Sequence, residues 1–161
     1  MRGVSHRLRS SEPADDGFLL ELYAQTRAGE RMLSGMNESQ WELFLQMQFR
    51  LRQASYRTTY PMAVDEIICA DSGVAIGRVL THRAADGMCL VDIAIVREKQ
   101  RQGFGTQVIQ DLQHECGEQG WEMRLQVLKG SPAEDLYQRL GFRVTGEDPL
   151  RRQMVWDRMK I

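Results

Sequence analysis

The chain predicts an α/β domain, a mixed and mostly antiparallel central sheet flanked by about four helices. Three observations carry that expectation. The N-terminal third repeats apolar residues at helical spacing, and the middle switches to short β-rich runs split by turn residues. The C-terminal half then alternates helix-like and strand-like patterns. No repeat, low-complexity tract or linker interrupts the 161 residues, so residues 1–161 read as one domain.

Each element follows from its own residues. "VSHRLRS" suits a short strand. "SEPADD" supplies a turn and acidic helix-start chemistry before "GFLLELYAQTR", where Phe18, Leu19, Leu22 and Tyr23 recur at helical spacing. "MNESQWELFLQMQFRLRQASYRTTYP" predicts a longer helix. Ser39 and Glu42 have capping-box spacing, and Trp41, Phe44, Leu45, Gln48, Phe49 and Arg52 follow at steps of three and four. Pro61 ends it, because the residue before a proline avoids helical backbone. "MAVDEIICA", "VAIGRVLTH" and "MCLVDIAIV" read as three antiparallel strands joined through "DSG" and "AADG". "TQVIQDLQHECGEQG" is an amphipathic helix with Val108, Ile109 and Leu112 inward and Gly120 at its stop. "WEMRLQV" is a strand. "SPAEDLYQRLGF" is a short helix, capped by Ser131, opened by Pro132 and ended at Gly141. "FRVTG" and "RQMVWDRM" form a closing hairpin.

Composition narrows the function classes. With 21 Lys+Arg against 22 Asp+Glu, the net charge of −1 supplies no global field for nucleic acid or an acidic membrane. Three cysteines, without CxxC spacing, favour reduced thiols over a disulfide framework or a zinc site. The basic start "MRGVSHRLRS" has no apolar segment behind it, and no apolar run is long enough for a bilayer. A cytoplasmic protein that binds neither membrane nor metal is the expectation.

The stretch "REKQRQGFGTQVIQ" holds the strongest chemical signal. Gly103 and Gly105 lie between an apolar strand and a helix, although glycine is a poor helix former. At such a junction several backbone N–H groups lack intrahelical partners and face outward at the positive end of the helix dipole. That is an anion site, and glycines let a phosphate approach the amides. The same residues also suit a plain strand-to-helix turn with solvated Lys99 and Arg101 nearby. The stretch is not a nucleotide P-loop, because no Gly-Lys-Ser/Thr follows. Nor is it a full Rossmann turn, since Val108 stands where the third glycine belongs.

"QRQGFG" (Gln100 to Gly105) resembles the Q/R-x-x-G-x-G/A signature of the GNAT superfamily of N-acetyltransferases. "LQVLKGSPAEDLYQRLGF" (Leu125 to Phe142) is similar to that family's second block, with Ala133, Leu136, Tyr137, Gly141 and Phe142 in matching places. The resemblance covers nearly the whole chain and implies a GNAT-like fold that takes acetyl-CoA as co-substrate. Ile93, Ala94 and Ile95 would then offer main-chain groups to the pantetheine arm. Gln100, Arg101, Gln102, Gly103, Phe104, Gly105 and Thr106 would wrap the pyrophosphate, and Tyr137 would protonate the departing thiolate. Two positions depart from the pattern. Gly130 replaces the asparagine that often opens the second block, and the Gln-Arg-Gln of the loop leaves less fixed positive charge. The resemblance also raises a homodimer through the C-terminal strands.

Acetyl transfer to an amine needs a deprotonated nucleophile, donors for the oxyanion and a proton for the leaving group. Asp92, an acid inside the apolar run "CLVDIAIV", is the candidate base, unless it is exposed or paired with a structural partner such as Arg78. Glu66, His82 and a water chain are weaker candidates. The oxyanion donor is expected at the Ile95 N–H, beside a bulge. Trp41, Phe44 and Phe49 suit a core face, Arg50, Arg52 and Arg57 a solvated one, and Met47 or Met62 an adaptable cleft wall. Cys89 and Cys116 read as buried small residues, without the neighbouring base a nucleophile requires. The leading function is direct acetyl transfer to a primary amine of a small molecule or peptide. The alternative is a catalytically silent CoA or acyl-CoA-binding sensor or assembly module.

Overall fold

The computed structural model describes residues 4–158. Seven strands form one sheet: β1 (His6–Ser10), β2 (Val64–Ala70), β3 (Ala75–Ala84), β4 (Gly87–Ile95), β5 (Glu122–Leu128), β6 (Arg143–Glu147) and β7 (Arg151–Trp156). Their order across the sheet is β1-β2-β3-β4-β5-β7-β6. Every neighbouring pair is antiparallel except β4 and β5. That one parallel pair needs a crossover. It is made by α4 (Phe104–Gln119), after a 3-10 turn at Arg97–Lys99. The mixed, mostly antiparallel α/β architecture expected from the pattern is therefore present. The expected closing hairpin runs on to Met159, which lies outside the described residues.

Alternation on the strands sorts the core into two faces. Ile68 points to the face covered by α4 and α5 (Pro132–Arg139), where Val108, Ile109, Leu112, Met123 and Leu125 are buried. Ile67, its neighbour, points the other way, toward Leu19 of α1 (Asp16–Thr26) and Phe49 of α3 (Glu38–Thr59). A third cluster of Tyr23, Trp41 and Leu45 locks α1 against the N-terminal half of α3. Helix stops fall where expected: Gly120 is left-handed after α4, and Gly141 has φ 95° after α5.

Two details differ from the sequence reading. Five α-helices are present among the described residues, the extra one being α2 (Ala28–Ser34). It buries no residue, so its sequence carries no apolar stripe to betray it. The cap of α3 is Asn37, not Ser39. The Asn37 Oδ1 accepts from the Gln40 N–H at 2.9 Å, and the Gln40 Oε1 accepts from the Asn37 N–H at 3.0 Å. Gly35, left-handed with φ 70°, ends α2 so close to α3 that the cap comes earlier and Ser39 already sits in the first turn. Replacing Asn37 by Ala should therefore lower unfolding free energy by about 1 kcal/mol in denaturant titration. Ser39→Ala, which removes no cap, should shift it by less than about 0.5 kcal/mol.

Candidate active site

The site begins where two strands part. β4 pairs with β5 only from Gly87–Glu122 to Leu90–Leu125. β4 continues along β3 as far as Ile95–Gly77, while β5 continues along β7. Beyond Leu90, the flank of β4 that faced β5 is thus left unpaired. In an antiparallel ladder, alternate residues turn their main-chain groups toward and away from the partner. The Val96 N–H donates to the Ile76 carbonyl on the β3 side at 2.8 Å, so Ile95 and Ile93 turn theirs into the gap. The Ile95 carbonyl is taken by the Gln100 side-chain amide at 2.9 Å. What remains on offer is the Ile93 N–H and carbonyl and the Ile95 N–H. The bulge expected at Ile95 is at Val91 instead, where Leu80 faces Asp92 but Thr81 faces Leu90. The extra residue falls at the parting, where β5 no longer holds β4 to a flat register.

The glycine turn lies just past that open edge. Arg101 has φ 61°, the one positive value at a non-glycine among the described residues, and Gly103, the N-cap of α4, has φ 94°. The first helical bond is Gln107 N–H to the Gly103 carbonyl at 2.9 Å. No side chain caps this end, and its first turn carries no acidic residue. Among the described residues, the amides from Arg101 to Thr106 find no backbone acceptor. The Gln102 side chain donates back to the Glu98 carbonyl at 3.0 Å, so both glutamines brace the loop and leave its main-chain amides uncovered. Gly105 is informative. Its φ is not positive, and a Cβ there would meet only Ile95, at 3.9 Å. The protein itself has room for a side chain at this position, so the missing methyl keeps space for something outside it.

On the other side of β4 opens a cleft of about 920 Å³. α1 and α3 form one wall, with Tyr23, Phe49, Arg52, Tyr56 and Tyr60. Val91, Asp92, Ile93 and Ala94 form the floor, and Gln126, Leu128, Ser131 and Arg151 the opposite wall. α3 changes role along its length. Trp41 and Leu45 are buried in the core, whereas Phe49, Arg52 and Tyr56 face the cleft. Arg52 is therefore not on the solvated face assigned to it with Arg50 and Arg57, which are exposed. Met47 and Met62 are exposed and do not line the cleft, so neither serves as its wall.

Asp92 is about one-fifth exposed, and its Oδ1 lies 3.2 Å from Nη2 of Arg52. Its partner is Arg52 rather than Arg78, because Arg78 is held by both oxygens of Asp65, at 2.8 and 2.9 Å, and by Gln53. Tyr137 is buried on α5 with its ring edge against Phe142, centroids 5.6 Å apart. Burial, reinforced by the negative charge of Asp92, pushes its phenol up to about 12. Neither Tyr137 nor the glycine turn lines the large cleft.

The weaker candidates sit elsewhere. Burial raises the Glu66 carboxyl, whose charged neighbours are Arg83, Glu115 and Asp65 rather than groups of the cleft. The His82 ring packs at a tilt against Tyr60, centroids 5.4 Å apart, and does not line the cleft. Cys116 is buried and pushed up to about 11 by desolvation. Cys89 is half-buried rather than buried, and burial raises its thiol too. All three cysteines are free, and burial disfavours the thiolate at Cys89 and Cys116. Among the described residues no cluster of His, Cys, Asp or Glu could hold a metal ion, and no helix is long and apolar enough to cross a membrane.

Residues 36–161 match the family model described as "Acetyltransferase (GNAT) domain". The chain belongs to the GNAT acetyltransferases. Solved structures agree at the level of fold. A PaiA N-acetyltransferase from Thermoplasma acidophilum, solved with coenzyme A, is 19% identical, with a TM-score of 0.68 over 96% of this chain and 99% of that one. An acetyltransferase from Thermus thermophilus gives 17% identity and a TM-score of 0.69 over 98% and 99%. Ard1 from Thermoplasma volcanium gives 16% identity and a TM-score of 0.62 over 96% and 98%. No curated protein matches the chain in sequence.

Gly105→Ala tests whether that glycine serves the fold or a bound ligand. Ala should raise helix stability by up to about 1 kcal/mol in thermal or denaturant unfolding. Coenzyme A affinity, measured by calorimetry, should fall at least about tenfold through loss of close amide contact.

Proposed function

We propose that this GNAT acetyltransferase moves an acetyl group from acetyl-CoA to the primary amine of a small molecule or peptide by direct attack within a ternary complex. The observation that carries the reading is the open β4 edge running into an uncapped, acid-free helix N-terminus. A strand edge suits the amides of a pantetheine arm, and converging N–H groups suit a diphosphate. When bound, the co-substrate supplies an activated thioester.

The chain's own residues divide the remaining work. Asp92, on the cleft floor, takes the proton from the incoming ammonium and leaves a nucleophilic amine. The Ile95 N–H, turned into the gap, donates to the oxygen that gains charge as nitrogen bonds to the carbonyl carbon. Tyr137, kept protonated by burial, gives its proton to sulfur as the C–S bond breaks, and its phenolate recovers one from the acylated nitrogen through water. The net release is one proton, passed from Asp92 to solvent. The raised cysteine thiols favour this one-step transfer over an acyl-cysteine route. Gly130 supports coenzyme binding without the side chain that many relatives place there. With φ 79°, it turns its N–H to Glu134 at 3.2 Å, so the block's geometry survives the loss.

Tyr137→Phe should cut acetyl-CoA-dependent thiol release by about 10²-fold or more, in line with loss of a positioned general acid. Coenzyme affinity should stay within about threefold, since a single hydroxyl is removed from a site bound mainly by backbone groups. Equal turnover in both proteins would exclude the phenol. The same phenol has a stability signature. It holds its proton up to about 12 in the folded chain, against about 10 when unfolded. Stability must therefore fall as pH rises through that window. Alkaline denaturation titrations should show that fall, and Tyr137→Phe should make it shallower.

A further inference from the structure

One wall of the cleft is a ladder of alternating guanidinium groups and phenol rings. Arg27 lies over Tyr23 at 5.6 Å, Arg52 over both Tyr23 and Tyr56 at 5.3 Å, and Arg78 over Tyr56 at 5.7 Å. The two outer arginines are fully occupied. Arg27 donates to Glu30 at 3.1 and 2.5 Å and to the Tyr23 hydroxyl at 2.7 Å. Arg78 is forked onto Asp65 and bonded to Gln53.

Arg52, in the middle, is different. Its Nε donates to the Tyr56 hydroxyl at 2.5 Å, and Nη2 makes a single 3.2 Å contact with Asp92. Its Nη1 has no partner among the described residues. Stacking fixes the plane of this guanidinium, yet its fork stands half filled at the cleft floor. Asp92, the carboxylate it touches, is the group the acceptor's amine must reach. Removing one member of a partly buried ion pair leaves the other uncompensated, which costs more than the pair itself contributed. A simple amine that claims Asp92 would strand Arg52, and a simple anion on Arg52 would strand Asp92.

Building on the acetyl-transfer reading, we propose that the acceptor is a zwitterion, an amino acid-like compound that inserts into the Arg52–Asp92 pair. Its ammonium takes Asp92, and its carboxylate takes the open fork of Arg52. Two charge-assisted contacts then replace one, and neither protein charge is left bare. The pair is only one hydrogen-bond length across, which fits opposite charges on the same carbon or on adjacent ones. Tyr23 and Tyr56 hold Arg52 in place, so they set where the carboxylate lands and hence where the amine points.

Matched acceptors test this: α-amino acids, their carboxamides and their decarboxylated amines with the same side chain, assayed by acetyl-CoA-dependent thiol release. The intact amino acids should show kcat/KM at least about tenfold above either counterpart, the discrimination expected of a contact to a charged group. Arg52→Gln should raise KM for the amino acids about tenfold or more and lower KM for the decarboxylated amines, which no longer strand a guanidinium, abolishing the preference. Arg52→Lys should restore it only in part, because an ammonium has no fork. A purely structural role for Arg52 would weaken all three acceptor classes alike, and that result would overturn the proposal. So would decarboxylated amines that match or outperform the amino acids in the unmodified protein. Should no amine release thiol although coenzyme A binds, the acetyl-transfer reading fails by itself. The zwitterion site is then read by calorimetry of the same amino acids on the coenzyme-loaded chain. Heat that disappears in Arg52→Gln supports it, and absence of heat overturns it.

Discussion

The architecture of the site depends on one interruption. β4 and β5 share four residue pairs and then separate after Leu90 and Leu125. A sheet that stayed paired would have no free main-chain groups in its middle. Here β4 keeps β3 on one flank and loses β5 on the other, so a strand edge appears near the centre of a seven-stranded sheet rather than at its margin. Edges at a margin are an aggregation hazard, whereas this one is sheltered by the elements on both faces. The crossover that makes β4 and β5 parallel also brings the N-terminus of α4 to the end of that edge. Pairing, crossover and the uncapped helix start are therefore consequences of one topological choice.

Electrostatics then divides the labour between the two sides of β4. Asp92 is partly open and rests against a cation, while Tyr137 is buried with that carboxylate as a charged neighbour. The environment that raises the phenol also keeps it protonated at neutral pH, so the two groups stand in different surroundings on the two sides of one strand. Arg101 shows the cost of the nearby turn. A non-glycine residue in the left-handed region is strained, and such strain persists only where the surroundings enforce it. The Gln100 and Gln102 side chains supply that enforcement by clamping the turn to Ile95 and Glu98.

Much of this was legible in the residues. Alternation and turn dipeptides located β2, β3 and β4, and the Gly103–Gly105 spacing located the amide cluster. Three features were not, and each has a physical reason. α2 packs nothing, so it lacks the periodicity by which helices are recognised. The bulge at Val91 arises where a neighbouring strand departs, a long-range event with no local mark in "CLVDIAIV". The Arg52–Asp92 pair joins residues far apart in the chain, and the sequence alone placed Arg52 with Arg50 and Arg57 on a solvated face. The useful hint was there: Arg52 continues the Trp41, Leu45, Gln48, Phe49 row, so a cation was sitting on the inward stripe. An inward cation requires a buried counter-charge or ligand.

The divided helix α3 has an evolutionary consequence. Its first half carries Trp41 and Leu45 into the core, Phe49 packs against that core at the turn between, and the second half lends Arg52 and Tyr56 to the cleft. Because the anchoring and the recognising side chains occupy successive turns of one rigid rod, the second set can be exchanged without unsettling the first. Descendants of this chain could reshape the cleft by drift within two or three turns of a single element, while the open strand edge of β4 and the uncapped start of α4, built from backbone, pass unchanged through the lineage.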